Sequence, residues 1–329
     1  MSLSAAEGRV KIIVGDCRDS LAALPESSVD CIVTSPPYFG LRDYGCGKQI
    51  GLEPSPHEFV SALVDVFRLA RRVLTQDGTC WINLGDSYAA TTKGSSGLGK
   101  NASNRGPIMQ ERRWRIPEGN KPKDLLMIPA RAAIALCDDG WWLRSDIIWH
   151  KPNPMPESVT DRPTKAHEHV FLLTKAQRYF YDAAAIKEPA RYPGDFRATR
   201  ADTRKSIEPM CLDGGSRSRT GTPTSQTINA RTVWTIATEP CEIAHFALMP
   251  TELARRCVLA GCSKGGVVLD PFGGGGTTGL VAARHGRRAI LCELNPEYAA
   301  IAKRRIDGEW KVAAPQQVDE PGPLFAASL

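Results

Sequence analysis

Seven short runs of apolar residues recur along the chain, each bounded by turn-forming residues. Their length and β-branched content predict strands, and their near-continuous hydrophobicity predicts strands buried on both faces of a sheet. The runs cover residues 10–16, 29–35, 79–86, 143–151, 169–175, 266–272 and 288–294. Because helix patterns lie between several of these runs, the sequence predicts an α/β fold with a mostly parallel, helix-covered sheet.

Four of the intervening segments have the features of helices. In the first, apolar residues recur at three- and four-residue steps from Phe59 onwards, and the pattern predicts a helix that stops at residues 77–78. A second helix is predicted over residues 251–261, and a third follows a run of four glycines. The fourth starts at Asn295 and Pro296, an N-cap residue followed by a proline at the first helical position.

Two stretches interrupt this alternation and carry an excess of positive charge. Residues 91–124 hold eight lysines and arginines against three acidic residues, and residues 187–231 hold nine against five. Neither stretch has the periodicity of a strand or a helix. The first predicts a mobile basic loop, and the second predicts an insertion or a small subdomain.

The same boundaries divide the chain into domains. We expect one main α/β domain formed by residues 1–182 and 233–309, with residues 183–232 inserted between its two parts. The last segment, residues 310–329, is polar and proline-containing after its first few residues, and a disordered tail is expected there.

Composition and charge narrow the functional classes. The 329 residues are 42% hydrophobic and 24% charged, and the net charge of +6 mildly favours an anionic partner. The ten cysteines form no C-x-x-C pair, so we expect reduced thiols and no zinc site. No apolar stretch reaches the roughly 18 residues of a membrane span, and the first residues lack a signal-peptide core. A cytoplasmic protein with no membrane partner is therefore expected.

A glycine-rich loop, DPFGGGGTTG, follows the strand that ends at Asp270. Three of its glycines satisfy the dinucleotide-binding pattern G-x-G-x-x-G, so a nicotinamide or flavin cofactor is one interpretation. Asp270 argues against that cofactor, because a carboxylate there would face the pyrophosphate but would attract the cationic S-adenosylmethionine. Glu293 ends the next strand, where its carboxylate can accept hydrogen bonds from both ribose hydroxyls. The alternative is a turn that packs a helix on a strand and binds no ligand.

A further carboxylate, Asp16, follows the first predicted strand. It can either cap the following helix or face a ligand, because ligands of α/β sheets bind outside the carboxyl ends of the strands. In the second case, Asp16 converges with Asp270 and Glu293 at one edge of the sheet.

The strand over residues 29–35 ends in the sequence Ser35-Pro-Pro-Tyr38. Two prolines remove this segment from the hydrogen-bond ladder and predict a stiff extended corner. Ser35 and the Pro36 carbonyl can accept both hydrogens of a nucleobase amino group, which localises the nitrogen lone pair towards an incoming methyl carbon, and Tyr38 can stack on the base. This chemistry requires no metal, but the base must be flipped out of duplex DNA. The alternative is a proline turn with a packed tyrosine.

The motifs TSPPY (34–38) and DPFGGGGTT (270–278) together resemble the amino-methylating DNA methyltransferases. These enzymes modify N4 of cytosine or N6 of adenine with S-adenosylmethionine. The catalytic motif precedes the cofactor motif, an order similar to that of the β group, and the resemblance covers residues 10–182 and 232–306. It implies a Rossmann-like, mostly parallel methyltransferase sheet with a circularly permuted motif order. The basic insertion falls where the family has its target-recognition region.

The resemblance also implies roles for individual residues. The catalytic corner would be Ser35, Pro36, Pro37 and Tyr38. The cofactor residues would be Asp16 (beside the adenine), Thr34, Phe246, Pro250, Asp270, Pro271, Phe272, Gly273, Gly275, Thr277, Glu293 (at the ribose) and Asn295. The candidate DNA contacts are Arg112, Arg113, Arg115, Lys151, Arg217 and Arg219. A solvated loop is the alternative for Lys151, and a loop anchored to the core by Trp114 is the alternative for the arginines that surround it.

The substrate interpretation follows from the residue before Pro36. Adenine-modifying relatives usually have Asp there and cytosine-modifying relatives usually have Ser, so Ser35 favours N4 of cytosine. N6 of adenine is the alternative within the family. A catalytically inactive DNA-binding protein, or a methyltransferase for RNA or a small molecule, is an alternative of another class. Double-stranded DNA is the expected partner, and a companion restriction endonuclease and a homodimer are left open.

Overall fold

The computed structural model describes residues 1–40, 46–89, 116, 119–190, 226–239 and 248–311. Its strands are β1 (Ser2–Ala5), β2 (Val10–Val14), β3 (Val29–Thr34), β4 (Leu74–Leu84), β5 (Trp142–His150), β6 (His167–Thr174), β7 (Glu188–Pro189), β8 (Thr227–Ile228), β9 (Val233–Thr235), β10 (Val267–Asp270) and β11 (Arg288–Glu293). Within the described residues, nine of these strands form one sheet in the order β1-β2-β11-β10-β3-β4-β6-β5-β9. The other two, β7 and β8, pair with each other.

Strand direction decides which side chains meet. Of the nine strands, β1 and β6 pair antiparallel to their neighbours, and the other seven all point the same way. The prediction of a mostly parallel sheet is confirmed. The carboxyl ends of the seven strands meet at one edge, which we call the carboxyl edge. Because β6 runs in the opposite direction, its first residues, His167 and Glu168, reach this edge from the amino end of a strand.

Helices cover both faces of the sheet. They are α1 (Cys17–Ala23), α2 (Pro56–Val73), α3 (Ile128–Asp138), α4 (Thr251–Gly261), α5 (Thr277–Arg284) and α6 (Pro296–Glu309). Side chains alternate along β4, so Cys80 and Ile82 join the core beneath α1, α2 and α3, whereas Thr79 faces the end of α4. This two-sided burial explains the near-continuous hydrophobicity of the central strands. In the described part of the chain, no helix is long and apolar enough to cross a membrane.

The predicted end of the first long helix is wrong by one turn. Helix α2 begins after the N-cap Ser55 and ends at Val73, not at residues 77–78. Leu74 is extended, with φ −71° and ψ 139°, and it pairs with Val29 as the first residue of β4. Leu74 is completely buried, so its apolar character suits the strand as well as the helical pattern that precedes it. The start of α6 was predicted correctly, because Asn295 caps the helix by accepting a hydrogen bond from Glu297 N.

The chain divides into two compact units, and the smaller one spans Ala183–Arg231. The described part of this unit contains a short 3-10 helix, Ala184–Ile186, and the paired strands β7 and β8. Arg231 forms an ion pair with Glu188, with 2.9 Å between Nε and Oε2. The described part of the larger unit contains the nine-stranded sheet and the six helices named above. The role of the smaller unit in target recognition stays a prediction.

Replacing Gly261 with alanine is expected to destabilise the larger unit. Gly261 ends α4 against β4, and its carbonyl accepts a hydrogen bond of 3.0 Å from Thr79 Oγ1. An added Cβ would overlap Thr79 Oγ1 and Trp81 Nε1 and lie 3.1 Å from Cys31 Sγ. Such overpacking typically lowers the free energy of unfolding by about 1–3 kcal/mol. Urea denaturation measures the loss.

The matched control for this variant is Gly308→Ala. Gly308 lies within α6, and among the described residues no atom outside the backbone of that helix comes within 4 Å of a Cβ added there. Alanine at a helical position of this kind is expected to raise the free energy of unfolding by a few tenths to about 1 kcal/mol. Equal stabilities for Gly261→Ala and the unmodified protein would contradict the close approach of α4 to β4.

Candidate functional site

The glycine loop lies at the carboxyl edge between β10 and α5 and is tied to the end of β11. Gly273 N donates a hydrogen bond of 2.7 Å to the Cys292 carbonyl. Glu293 accepts one hydrogen bond at each carboxylate oxygen, from Gly274 N at 2.8 Å and from Asn295 N at 2.9 Å. Burial raises the pKa of Glu293, and these two backbone hydrogen bonds act in the opposite direction. Each oxygen retains lone pairs for a further donor.

Glycine is required in this loop for two physical reasons. Gly274 and Gly276 have φ of +47° and +79°, which L side chains rarely adopt. At Gly273 a Cβ would stand only 2.9 Å from Leu291 Cβ and 3.3 Å from the Cys292 carbonyl oxygen. The loop therefore lies flat on β11, and its backbone conformation depends on glycine at these positions.

Asp270 joins the glycine loop to the end of β3. Its side chain is 3% exposed, and Oδ1 accepts hydrogen bonds from Thr34 Oγ1 at 2.6 Å and from Phe272 N at 3.0 Å. Oδ2 accepts a hydrogen bond from Thr278 Oγ1 at 2.8 Å. Burial raises the pKa of this carboxyl, and the three donors act against the rise. The carboxylate thus fixes the loop beside β3. Its attraction for a cationic ligand stays a prediction.

The end of β2 completes this side of the carboxyl edge. Asp16 caps α1 by accepting from Arg18 N at 2.9 Å, and the Arg18 side chain also grips this carboxylate. These hydrogen bonds lower the pKa of Asp16. Gly15 N donates to the Glu293 carbonyl at 2.9 Å, and its φ is +144°. Among the described residues, none beyond the two chain neighbours comes within 4 Å of a Cβ built on Gly15.

The remaining predicted cofactor residues lie in or near the glycine loop, at the start of α4, or outside the described residues. Pro271 is buried in the loop, and Phe272 is half-buried against the core beneath α1, α2 and α3. Pro250 is the buried N-cap of α4, and the Thr277 hydroxyl accepts from Arg305 on α6 at 2.9 Å. Phe246 lies outside the described residues. The cofactor contacts of all these residues, of Gly275 and of Asn295 stay predictions.

The Ser-Pro-Pro-Tyr corner follows β3 directly. Thr34 pairs with Ile82 on β4, so Ser35 comes beside Asn83. The hydrogen bond between Thr34 and Asp270 holds the start of this corner next to the glycine loop. The two predicted motifs, far apart in the chain, therefore lie side by side.

Tyr38 turns back onto the end of β4. Its ring packs on Gly85, where an added Cβ would stand 2.5 Å from Tyr38 Cε2. The phenol donates a hydrogen bond to the Glu168 carboxylate. Burial raises the pKa of Tyr38 well above its ordinary value, the charge of Glu168 adds to the rise, and hydrogen bonds from Ser35 and Asn83 oppose it. The phenol therefore stays protonated, and stacking of its ring on a base stays a prediction.

Two polar residues of this corner, Asn83 and Glu168, were missed by the sequence interpretation, and a third, Lys151, was predicted only as a DNA contact. Asn83 Nδ2 lies 2.9 Å from Tyr38 Oη, 2.9 Å from Glu168 Oε2 and 3.5 Å from Ser35 Oγ. The Lys151 ammonium forms an ion pair with Glu168 Oε1. We call Ser35, Tyr38, Asn83, Lys151 and Glu168 the corner network. The available signal was a glutamate inside the strand sequence HEHVFLLT, where buried apolar residues are the rule.

The predicted DNA contacts are described only in part. Lys151 Nζ pairs with Glu168 and lies 4.4 Å from the centre of the Trp149 ring, and its contact with DNA stays a prediction. The five arginines Arg112, Arg113, Arg115, Arg217 and Arg219 lie outside the described residues. Among the residues that the structure describes, no group of three or more His, Cys, Asp or Glu side chains could hold a metal ion.

A family model described as DNA methylase matches residues 29–304 of the chain. The chain belongs to this DNA methylase family. The resemblance of its two motifs to the amino-methylating DNA methyltransferases is thereby confirmed, and so is the expected S-adenosylmethionine-dependent methyltransferase fold.

Curated relatives of this DNA methylase match almost its whole length. Type II methyltransferase M.SmaI of Serratia marcescens is 49% identical over 296 residues, which cover 90% of each chain. Type II methyltransferase M.Cfr9I of Citrobacter freundii is 47% identical over 295 residues, or 90% of this chain and 87% of the relative.

Solved structures share the fold of the DNA methylase. TTHA0409 of Thermus thermophilus, complexed with S-adenosyl-L-methionine, is 27% identical to this chain, with a TM-score of 0.55. The match covers 91% of this chain and 95% of that chain. PvuII DNA methyltransferase (cytosine-N4-specific) is 19% identical to this chain, with a TM-score of 0.58. That match covers 92% of this chain and 91% of that chain. The second likeness concerns the fold alone.

The site of this DNA methylase suits S-adenosylmethionine, the cofactor of its family. The glycine loop lies against β11, no described residue beyond the chain neighbours comes within 4 Å of a Cβ built on Gly15, and Glu293 retains acceptor capacity. The protein is an S-adenosylmethionine-dependent DNA methyltransferase of the N4/N6 group.

Proposed function

We propose that the protein methylates the exocyclic N4 amine of cytosine at a specific site in double-stranded DNA. The observation that carries this proposal is the hydroxyl-bearing corner Ser35-Pro-Pro-Tyr38, joined to the glycine loop by the hydrogen bond from Thr34 to Asp270. A serine before the prolines is the form that resembles the cytosine-specific members of the family. A neutral acceptor in this position distinguishes the corner from the aspartate form of the adenine-specific members.

The chemistry proposed for the corner is the orientation of an amine. The lone pair of an exocyclic amine is delocalised into the base, which makes the nitrogen a poor nucleophile. Ser35 Oγ and the Pro36 carbonyl would accept its two hydrogens out of the ring plane, and this localises the lone pair towards the methyl group. Holding the nitrogen and the methyl carbon about 3 Å apart in line lowers the barrier further.

The glycine loop would hold the cofactor for this reaction. When bound, S-adenosylmethionine supplies an electrophilic methyl group on its sulfonium. Glu293 is proposed to accept hydrogen bonds from the ribose hydroxyls, since the backbone donors Gly274 N and Asn295 N already fix the orientation of its carboxylate. The backbone of residues 273–275 and the space beside Gly15 and Asp16 would complete the pocket.

On the DNA side, the proposal requires base flipping and includes a companion restriction endonuclease. The target amine is paired within duplex DNA, so the cytosine must leave the stack to reach the corner. The net charge of +6 and the basic stretches suit a polyanion. We assign the reading of the target sequence to the Ala183–Arg231 unit. Because the relatives M.SmaI and M.Cfr9I are Type II methyltransferases, we expect a companion restriction endonuclease with the same target.

Nucleoside mass spectrometry tests the proposal directly. The protein is incubated with duplex DNA of varied sequence and S-adenosylmethionine labelled in its methyl group, and the digested nucleosides are analysed. We expect the label in N4-methyldeoxycytidine. Label in N6-methyldeoxyadenosine would overturn the assignment of the base and keep the amine chemistry. No label in any duplex, with cofactor binding intact, would contradict duplex DNA as the substrate.

A further inference from the structure

We propose that Glu168, held by Lys151, is the carboxylate of the catalytic corner and acts on Ser35 through Tyr38 and Asn83. This inference rests on the proposed role of Ser35 as an acceptor for the target amine. It makes Glu168 a positioning residue, because its carboxylate orients the groups that touch the base.

Strand direction delivers this carboxylate to the corner. Glu168 is the second residue of β6, which lies between β4 and β5 and runs against both. Its backbone pairs with Trp149 on β5, and Lys151 follows the end of that strand. Asn83 stands near the end of β4, directly beside Ser35. Three neighbouring strands therefore contribute one network at the carboxyl edge.

The Glu168 side chain has a hydrogen-bond partner at each oxygen. Lys151 donates to Oε1, whereas Tyr38 Oη and Asn83 Nδ2 both donate to Oε2. The side chains of Glu168 and Lys151 are 9% and 18% exposed. Replacing such a pair with apolar residues is often neutral or even stabilising, so fold stability gives no reason to keep it here. The pair instead serves to orient the Ser35 and Tyr38 side chains of the corner.

The carboxylate fixes the direction of the hydrogen bonds that lead to Ser35. A carboxylate paired with lysine has no proton to donate, so the phenol of Tyr38 must point its own proton at Glu168. The phenol oxygen is then an acceptor, for Asn83 Nδ2 at 2.9 Å and for the Ser35 hydroxyl. When Ser35 donates its proton inward, its lone pairs face outward. That is the state that can accept a hydrogen from the target amine.

This arrangement compensates for a weakness of the serine corner. A neutral hydroxyl is a poorer acceptor than a carboxylate, since hydrogen bonds to charged acceptors are about twice as strong. Hydrogen bonds arranged in a chain polarise one another, so the charge of Glu168 strengthens the acceptor at Ser35 through one intervening phenol. The Glu168 carboxylate thus acts on the base indirectly, through Tyr38 and Ser35.

A double-mutant cycle tests the proposal. The variants are Tyr38→Phe, which removes only the phenol oxygen, Glu168→Gln, and both together. The measurement is the single-turnover rate of methyl transfer to duplex DNA at saturating S-adenosylmethionine, with cofactor affinity from calorimetry. We expect each single variant to lower the rate about 10- to 100-fold with cofactor affinity within about twofold. Because both act on one chain of bonds, the double variant should be no slower than the slower single.

Two further variants separate positioning from folding. Lys151→Met with Glu168→Gln removes both charges, so no buried ion is left unpaired, and we expect a native thermal midpoint and the slow rate of Glu168→Gln. Glu309→Gln is the matched control, because Glu309 pairs with Arg284 at the ends of α6 and α5 away from the carboxyl edge. It should transfer methyl groups at the native rate.

The outcomes distinguish this inference from the function on which it rests. If the unmodified protein labels either cytosine or adenine, the cycle is measured on that base and remains decisive. Rate losses that multiply in the double variant, or a native rate for Glu168→Gln, would refute the positioning role alone. Absence of transfer by the unmodified protein would instead refute the proposed function.

Discussion

Replacing Ser35 and Tyr38 together with alanine is expected to slow methyl transfer to duplex DNA by at least about 10³-fold. The double variant removes the proposed side-chain acceptor for the amine and the phenol that joins this acceptor to Glu168. The glycine loop stays intact, because its hydrogen bonds run to Asp270, Cys292 and Glu293. Cofactor affinity should therefore stay within about threefold of the native value. Single-turnover kinetics and calorimetry measure the two quantities.

The control for this variant carries the same two substitutions elsewhere. Ser28 precedes β3 and Tyr179 follows β6, so both lie away from the corner network. Ser28→Ala with Tyr179→Ala is expected to transfer methyl groups at close to the native rate. Native activity of the Ser35 and Tyr38 double variant would exclude the corner from catalysis. Loss of cofactor binding in that variant would indicate damage to the fold rather than to the chemistry.

Gly273→Ala is expected to weaken S-adenosylmethionine binding about 10- to 100-fold. Its Cβ would stand 2.9 Å from Leu291 Cβ, which belongs to β11 and has little freedom to move. The loop must then leave β11 and lose the bond of 2.7 Å from Gly273 N to the Cys292 carbonyl. That movement also separates Gly274 N from Glu293, the proposed ribose ligand. A hydrogen bond to a charged acceptor contributes about 1.5–3 kcal/mol, and about 1.4 kcal/mol is a tenfold change in affinity.

Calorimetric titration with S-adenosylmethionine measures this effect, and circular dichroism checks that the variant is folded. Gly308→Ala again serves as the control, since its Cβ would contact none of the described side chains. The control should bind the cofactor with native affinity. Native affinity in Gly273→Ala would mean that the loop can shift without consequence and that the pocket lies elsewhere.

Local chemistry explains which parts of the site could be predicted from sequence. The glycine loop and the Ser-Pro-Pro-Tyr corner each impose a backbone requirement that is written in consecutive residues, so both were recognised and both lie at the carboxyl edge. The caps by Asn295 and Asp16 are likewise local, because each accepts from a backbone amide two residues ahead. The strands were predicted well because their hydrophobic pattern is also contained in consecutive residues.

The corner network depends on information that lies between distant residues. Periodicity predicts a strand over residues 169–175 but not its direction, and only the antiparallel course of β6 brings Glu168 to the carboxyl edge. Asn83 and Glu168 are separated by 85 positions in the chain. The predicted end of α2 was wrong for a different reason, because Leu74 fits both the helix pattern and the strand that follows.

The permuted order of the strands determines when the enzyme can be assembled. In the centre of the sheet, β2 and β3 flank the pair formed by β11 and β10, which the ribosome makes much later than either of them. The bond from Thr34 to Asp270 spans 236 positions. A nascent chain that ends before β10 therefore has exposed strand edges, and it has neither the glycine loop nor Glu293. Methylation capacity appears only after β10 and β11 have been made, so fragments that end before these strands are inactive and prone to aggregate.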